Sequence, residues 1–516
     1  MKSGRLILLM IFLTMLIYGC TKLHETVGGN LTSVQVTNDS SATVLLRGVY
    51  ASMEFPFTSH FQIFPLSDIS TDEAIVPTRA NNWDDNGIWR DLHQQKWNST
   101  SSIVHDCFNS LSGIAFAATD MLQYNPTGKQ QAEARFLRAW AMYWQLDLFD
   151  QVPFRDAGES VVKAARVRKG MEALNYIVSE ITAIEPDLPI GPASRANKFA
   201  AKTLLMKCYL NKAVYTNRAN PAFDVTDMNK VISLADEIIN SNQYSFSKNY
   251  FDNFSPINES IGKENIFTQQ SNSDGNYLVS FAWLFPLDYA QGGFNGVCTL
   301  PDFYNKFEMA DRRRGTVYSY PNSPPNPGNR VNVGFLIGQQ HDLNTDDLLY
   351  SGPLPVIYTP EVANIETGSN LEMPGIRPIK YAPDYLNFYP PSPATNNFVY
   401  FRLSDVLLMK AEAILRGGIP TNAPYGNTAL AIVNTIRTNP SRGVSALSSL
   451  TLDDLLDERG RELWWENWRR QDMIRFEKFL LPFQEKDYQS DPKYLVFPIP
   501  DEQLAVNPNL KQNPGY

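Results

Sequence analysis

One segment, residues 132–154, constrains the fold more than any other part of the chain. Its large side chains recur at i, i+4, i+7 and i+8, which places them on one face of a helix. These side chains are Phe136, Trp140, Tyr143 and Trp144. Pro153 cannot continue a helix and disfavours helical backbone in the residue before it, so the helix is predicted to end near Asp150. So many aromatic side chains on one helix predict a core built from helices.

Helical spacing also predicts helices on both sides of this segment, at residues 41–53, 101–122, 171–184, 198–215, 227–239, 402–416, 427–437 and 452–479. Two long stretches, 55–97 and 251–398, lack the helical period and are punctuated by Pro, Asn, Asp and Gly, so they are predicted to be mostly loop. The tail is predicted to be extended. Long loop-rich regions inside compact proteins are usually functional.

The N-terminus predicts export and a lipid anchor. Lys2 and Arg5 precede an apolar run of about a dozen residues, which suits a signal peptide and is too short to cross a bilayer that needs roughly 20. Gly19 and Cys20 then resemble a bacterial lipobox, in which the cysteine becomes the first mature residue and carries acyl chains. The alternative is an ordinary signal peptide with an incidental cysteine. Residues 20–40 are predicted to be a flexible tether.

The remaining cysteines, Cys107, Cys208 and Cys298, lie in apolar or helical contexts and are predicted to be buried and unpaired. The five histidines lack the spacing of a transition-metal site, so neither a metal nor a cofactor is predicted. Asp342, Asn344 and Asp346 alternate as in a calcium loop. However, Asp347 stands where glycine is needed and the closing Glu is missing, so solvated acids are the better interpretation. The net charge of -9, without a basic stripe, argues against nucleic acid.

Two loop clusters carry aromatic side chains beside hydrogen-bonding ones, a combination that suits sugars because each ring offers an apolar face. The first cluster comprises Asn81, Asn82, Trp83, Asp84, Asp85 and Asn86. The second comprises Trp283, Tyr289, Gln291, Phe294 and Asn295, where Gly292, Gly293 and Gly296 would let the backbone approach a ligand.

Other rings are assigned lesser roles or none. Tyr320 and Tyr389 lie in Pro- and Asn-rich loops and are weaker candidates, whereas Trp89 and Trp97 are predicted to be core. A buried strand pair is the alternative for Trp283. Arg135, Arg138 and Asp147 are predicted to form interhelical pairs rather than ligand contacts.

Four motifs and the lipobox together resemble the SusD/RagB family of nutrient-binding outer-membrane lipoproteins of Bacteroidetes. The motifs are E-A-R-F-L-R-A-W-A-M-Y-W-Q-L-D-L-F-D-Q-V-P-F, Y-F-R-L-S-D-V-L-L-M-K-A-E-A, E-R-G-R-E-L-W-W-E-N-W-R-R-Q-D-M-I-R-F and the ending F-P-I-P…N-P-N-L-K-Q-N-P-G-Y. The resemblance implies a mainly α scaffold of four tetratricopeptide-like helix pairs and an irregular ligand-binding face. It also implies a lipid-anchored location on the outer-membrane surface and a SusC-like TonB-dependent transporter as partner.

The expected organisation is one compact globule. It has a signal peptide at 1–19, the tether at 20–40, an N-terminal helical part at 41–250 that contains the binding loop 55–97, a loop-rich ligand-binding region at 251–398, and a C-terminal helical part with the tail at 399–516.

The expected function is non-catalytic binding of oligosaccharide or polysaccharide and its delivery to the transporter. Peptide or glycoprotein cargo is the alternative within the same family. A glycoside hydrolase is the second alternative, but it needs two carboxylates at a defined separation. The adjacent pairs Asp84-Asp85, Asp72-Glu73 and Asp453-Asp454 are expected by chance in a chain with 54 Asp and Glu.

Overall fold

The aromatic helix belongs to a series of helices that pack one against the next. A computed structural model describes residues 39–271, 277–323, 328–342, 345–384 and 394–516. Its helices of seven residues or more are α1 (Asp39–Ser52), α2 (Ser102–Met121), α3 (Gly128–Phe149), α4 (Gly170–Ile184), α5 (Lys198–Thr216), α6 (Val225–Asn240), α7 (Leu403–Leu415), α8 (Ala429–Arg437), α9 (Leu452–Leu463) and α10 (Arg469–Arg475). With 44% helix and 11% strand, the structure confirms the mainly α prediction.

The helices pack as the pairs α1–α2, α3–α4, α5–α6 and α7–α8, and each pair also packs against the next. Helix α7 packs against α6 although residues 241–402 separate them in sequence. The loop-rich region is therefore an insertion between two neighbouring helices of a continuous stack.

Helix α3 begins with a capping box, in which Thr127 and Gln130 satisfy each other's backbone N–H groups. It ends at Phe149, and Asp150 follows in a left-handed conformation, so the predicted end is confirmed. The predicted interhelical pairs are also present. Arg135 and Arg138 both bind Glu180 of α4.

Short strands and short helices fill the remaining described segments. The strand pairs are Gln151–Phe154 with Arg166–Lys169, Ala74–Ile75 with Cys298–Thr299, Thr78–Arg79 with Ile365–Glu366, Asn265–Gln269 with Phe398–Arg402, Gly338–Gln339 with Ile357–Tyr358, Tyr350–Ser351 with Leu354–Pro355, and Val333–Leu336 with both Gly315–Thr316 and Arg377–Ile379. The short α-helices are Glu54–Thr58, Ile88–His93, Asn258–Ile261, Tyr277–Val279, Pro301–Tyr304 and Asp501–Val506. The antiparallel pairing of Asn265–Gln269 with Phe398–Arg402 ties the beginning of the insertion to its end.

Two predictions of secondary structure were wrong. The single helix expected at 452–479 is broken between α9 and α10, where Trp465 and Asn467 have φ angles of 62° and 66°. The break lets Trp464 and Trp465 enter the core, where the backbone N–H of Trp465 donates to Glu73 Oε1 at 2.6 Å. The tail, expected to be extended, contains the helix Asp501–Val506.

A fully buried ionic network joins α9 to the insertion. Glu462 of α9 accepts from Arg313 at 2.9 Å, from Arg402 at 2.6 Å and from Arg442. Glu458, one turn earlier, accepts from Arg313 at 2.6 Å. Burial alone raises the pKa of Glu462, but the three arginines outweigh it and hold that pKa well below its usual range. Both carboxylates are therefore ionised in the folded protein.

We expect Glu462→Gln to lower the free energy of unfolding by about 3–5 kcal/mol, because it leaves three buried guanidinium groups without their shared charge. Urea denaturation followed by circular dichroism measures the change. Glu502→Gln is the matched control, since that carboxylate is 79% exposed beside His105 and its loss is expected to cost under about 1 kcal/mol. Equal losses in the two variants would contradict the role of the network.

A second buried carboxyl, that of Glu73, has a raised pKa, whereas the pKa of Glu462 is lowered. Burial raises the pKa of Glu73 to about 8, and the N–H of Trp465 and the charges of Arg469 and Lys380 offset this only in part. Burial likewise raises the pKa of Asp68. Glu73 is thus protonated in the folded protein at neutral pH, while the same carboxyl is ionised in the unfolded chain.

The folded state therefore binds more protons than the unfolded state between about pH 4.5 and pH 8. The stability that Glu73 contributes is present below its unfolded pKa and is lost as the pH rises through 8. We expect the free energy of unfolding to fall less steeply over this range in Glu73→Gln, which keeps the oxygen that Trp465 binds. Denaturation at pH 5, 6, 7 and 8 tests this, and parallel curves for the two proteins would show that Glu73 is ionised when folded.

Candidate ligand-binding site

The structure brings the two predicted loop clusters together. The side-chain amide of Asn82 donates to the Tyr289 hydroxyl at 2.9 Å. The indole N–H of Trp83 donates to the backbone oxygen of Phe294 at 2.8 Å. Residues more than 200 positions apart thus form one surface, and neither cluster forms a site alone.

The loop that carries Trp83 has an unusual backbone. Ala80, Trp83, Asp85 and Asn86 have φ angles of 55°, 59°, 39° and 56°, in the left-handed region that side chains other than glycine rarely adopt. This conformation is least favourable for a residue as large as Trp83. Backbone strain of this kind clusters at functional sites, where the surrounding structure holds it in place.

A buried arginine holds the base of this loop. Arg79 pairs with Glu366 at 2.8 Å and also donates to the backbone oxygens of Asn295 and Gly296 at 2.6 and 3.0 Å. Its backbone exchanges hydrogen bonds with that of Asn82 at 2.9 and 3.0 Å. Arg79 therefore fixes the Trp83 loop to the second cluster.

Aromatic rings surround Trp83 on the protein side. Its ring centroid lies 5.0 Å from that of Phe285, 5.6 Å from that of Trp89 and 6.0 Å from that of His60. The His60 ring stacks on Phe285 at 4.6 Å. Burial lowers the pKa of His60 to about 4, so this ring is uncharged at neutral pH.

Four rings reach the surface here, and we call them the aromatic patch: Phe61, Trp83, Tyr289 and Phe294. Phe61 and Tyr289 are 44% and 45% exposed, whereas the other two are half-buried. The patch is thus an apolar surface that lies on a layer of packed aromatic rings. The sequence does not single out Phe61, because its exposure depends on packing and not on spacing.

Polar groups border the aromatic patch. Asn81 is exposed, and Asp84 pairs with Arg90 at 2.6 Å while about half of its side chain stays exposed. Asp85 accepts from the indole N–H of Trp89 at 2.7 Å. Trp89 itself is buried, as predicted. The border therefore offers carboxylate and amide groups that can bind hydroxyls.

Four predicted site residues are buried and offer no surface to a ligand. One of them, Gln291, donates to Asp288 and to the Tyr358 hydroxyl at 2.9 and 3.0 Å. Trp283 is fully buried in a helical turn and donates to the backbone oxygen of Tyr381 at 2.9 Å, so the strand-pair alternative is also wrong. Asn295 is buried and its amide bridges Leu371 and Arg377. Tyr320 is buried beside Tyr318.

The predicted role of two glycines was also wrong. A Cβ at Gly296 would lie 2.9 Å from the Trp83 ring and 2.6 Å from that of Phe285, and one at Gly293 would lie 2.1 Å from the Leu287 oxygen. The chain itself fills the space beside them, so they serve internal packing and not ligand approach. Gly292 has nothing within 4 Å of such a Cβ.

The other predictions divide into those that the structure describes and those that it does not. Cys107, Cys208 and Cys298 are buried and free, as predicted, and Trp97 is core. Asp346 of the calcium-like loop pairs with Arg330 at 2.6 Å. Cys20, Tyr389 and Asn344 lie outside the described residues. Among the residues that are described, we find no helix with the length and hydropathy needed to span a bilayer.

Comparison with known proteins agrees with this architecture. The sequence profile of the SusD family matches residues 234–516, and the chain belongs to that family. The starch-binding protein SusD of Bacteroides thetaiotaomicron is 26% identical over 510 residues, which cover 88% of this chain and 85% of that protein.

Solved structures show the same fold. A SusD superfamily protein from Parabacteroides distasonis aligns with a TM-score of 0.71 at 20% identity, covering 94% of this chain and all of that one. Surface glycan-binding protein A from Bacteroides thetaiotaomicron, solved in complex with laminarihexaose, aligns with a TM-score of 0.66 at 18% identity. This alignment covers 92% of this chain and 100% of that structure. SusD and surface glycan-binding protein A are named as binding proteins, not as enzymes.

Proposed function

We propose that the chain binds oligosaccharide or polysaccharide at the aromatic patch without modifying it. The observation that carries this proposal is the convergence of Trp83, Tyr289 and Phe294 from two distant loops onto one surface. Two relatives support the ligand class, since one is named for starch and the other was solved with laminarihexaose.

The chemistry of the patch suits a sugar. The C–H face of a sugar ring lies flat on an aromatic ring, and covering about 100 Å² of apolar surface contributes roughly 2 kcal/mol before ordering costs. Asn81 and Asp84 at the border can bind the ring hydroxyls. Two or three stacked rings would give an affinity in the high micromolar range or weaker, which suits a protein that must release its cargo.

The carboxylate pairs considered for hydrolysis are engaged in other contacts. Asp72 pairs with Arg469 at 2.7 Å, and Glu73 accepts from the backbone of Trp465. Asp453 pairs with Lys478 at 3.0 Å on the surface. Asp72 and Asp453 line one cavity, but each is paired there with a different cation, Asp72 with Arg469 and Asp453 with Lys478. This pairing supports binding over catalysis.

We expect Trp83→Ala to weaken binding of maltohexaose or laminarihexaose by about 30-fold, the equivalent of roughly 2 kcal/mol from one lost stacking face. Isothermal titration calorimetry measures the affinity, and thermal unfolding checks that the variant is folded.

Phe116→Ala is the matched control, because it removes another exposed aromatic ring, on α2, that contributes nothing to the patch. Its affinity is expected to equal that of the wild type. Unchanged glycan affinity in a folded Trp83→Ala protein would rule out the aromatic patch as the site. If the wild-type protein bound peptides and not glycans, its ligand would be peptide and the proposed ligand class would be wrong.

The proposal extends to location and partner. Acylation of Cys20 would hold the protein at the outer-membrane surface, because each buried CH₂ contributes about 0.8 kcal/mol and more than one chain gives stable anchoring. A SusC-like TonB-dependent transporter would then receive the glycan. Both statements rest on the lipobox and on membership of the SusD family.

We expect Cys20→Ala to move the protein from the membrane fraction to the soluble fraction and to abolish labelling by palmitate. Cys107→Ala is the control, since that buried thiol has no part in anchoring and the variant should fractionate like the wild type. Membrane association and labelling that persist in Cys20→Ala would show that the chain is held in another way.

A further inference from the structure

A cavity of about 370 Å³ lies within the insertion and shares no residue with the aromatic patch. Its wall includes Tyr304, Arg314, Val331, Ile337, Gln339 and Gln340. Its volume is within the range of small-molecule sites in proteins. Nothing in the function proposed above uses this cavity.

Two adjacent arginines have different roles at this point of the chain. Arg313 is fully buried and donates to Asp311, Glu458 and Glu462. Arg314 lines the cavity and is only partly buried. Among the described residues, none has a carboxylate within 4.0 Å of the Arg314 guanidinium. It is a cation available to a ligand.

Tyr304 holds this guanidinium in place. One Nη of Arg314 donates to the Tyr304 hydroxyl at 2.5 Å, and its Cζ lies 4.2 Å from the centre of the Tyr304 ring. A guanidinium has five N–H donors, so most of its donors remain for a ligand. A planar fork of this kind binds carboxylates with two parallel hydrogen bonds.

Two glutamines give the wall hydrogen-bond acceptors. The amide NH₂ of Gln339 donates to the backbone oxygen of Gln340 at 2.8 Å, and that of Gln340 donates to the backbone oxygen of Gly338 at 2.8 Å. Backbone oxygens only accept, so these bonds fix which end of each amide is oxygen. Neither side-chain oxygen accepts from a described residue. Both are acceptors for hydroxyl groups.

Apolar side chains lie at the same cavity. Val331 and Ile337 are 48% and 39% exposed and line it together with Met309, which is 92% exposed. Exposed apolar groups next to a guanidinium and amide oxygens match a ligand that has C–H groups, hydroxyls and one carboxylate.

Three carboxylates also line the cavity, and other groups hold each of them. Asp311 is paired with Arg313, and Asp346 with Arg330 at 2.6 Å. Asp342 accepts from the backbone N–H of Thr345 at 2.8 Å. His341 contacts the backbone oxygen of Asp346 at 3.0 Å. Repulsion of an anion by the first two is therefore largely neutralised by their arginine partners.

We propose that this cavity binds a uronic acid residue, with its carboxylate on Arg314 and its hydroxyls on the oxygens of Gln339 and Gln340. The cavity is a second binding site, separate from the aromatic patch. Glycans that contain acidic sugars would contact the protein at both places.

Titration calorimetry of the purified protein with glucuronic acid, glucose and N-acetylalanine tests this. We expect glucuronic acid to bind at least about tenfold more tightly than glucose, because a hydrogen bond to a charged group contributes more than a neutral one. N-acetylalanine supplies a carboxylate without sugar hydroxyls and is expected to bind more weakly than glucuronic acid. Equal binding of these two acids would identify a site for a peptide carboxylate and overturn the sugar assignment.

Arg314→Gln is expected to abolish the preference for glucuronic acid over glucose, and Arg314→Lys to restore part of it. Arg312→Gln is the matched control, because it removes an exposed arginine two residues away that does not line the cavity. A preference that survives in a folded Arg314→Gln protein would overturn the proposal.

Trp83→Ala separates this site from the aromatic patch. It is expected to leave glucuronic acid binding unchanged while it weakens hexasaccharide binding. Loss of glucuronic acid binding in Trp83→Ala would show that the acid binds at the patch and not in the cavity.

Discussion

The structure depends on the buried carboxylate of Glu462 and its three arginines. Arg313 comes from the insertion, Arg402 from the strand that ends it, and Arg442 from the segment after α8. Burying charges is costly, and only close mutual pairing offsets that cost. The insertion can satisfy these charges in one position on the helix stack, so the network fixes where the insertion lies.

The candidate site depends on this placement. Arg79 binds backbone oxygens of the insertion and thereby holds the Trp83 loop against Tyr289 and Phe294. The left-handed backbone of Trp83 persists because these contacts over-determine it. The helical scaffold thus carries a strained, half-buried ring at its surface. The same insertion holds the Arg314 cavity, which shares no residue with the patch.

The prediction from sequence succeeded where local spacing decides the structure. The helical period located α1 to α8 closely, and Pro153 and Asp150 marked the end of α3. It failed where a distant contact overrides the local pattern. The period runs through 452–479, yet the segment breaks because Trp464 and Trp465 gain more by burial than by continuing a helix. Trp283 and Asn295 resembled a binding loop, but their partners Tyr381 and Arg377 lie far along the chain.

The sequence by itself determined the helical class, the SusD family and the two loops that carry the patch, since these depend on residue type and short-range spacing. Only the tertiary structure decided that Asn82 meets Tyr289, that Phe61 is exposed and that Arg314 lines a cavity while Arg313 is buried. Adjacent arginines are chemically identical in the sequence. Their different roles arise from which carboxylates the folded chain places within reach.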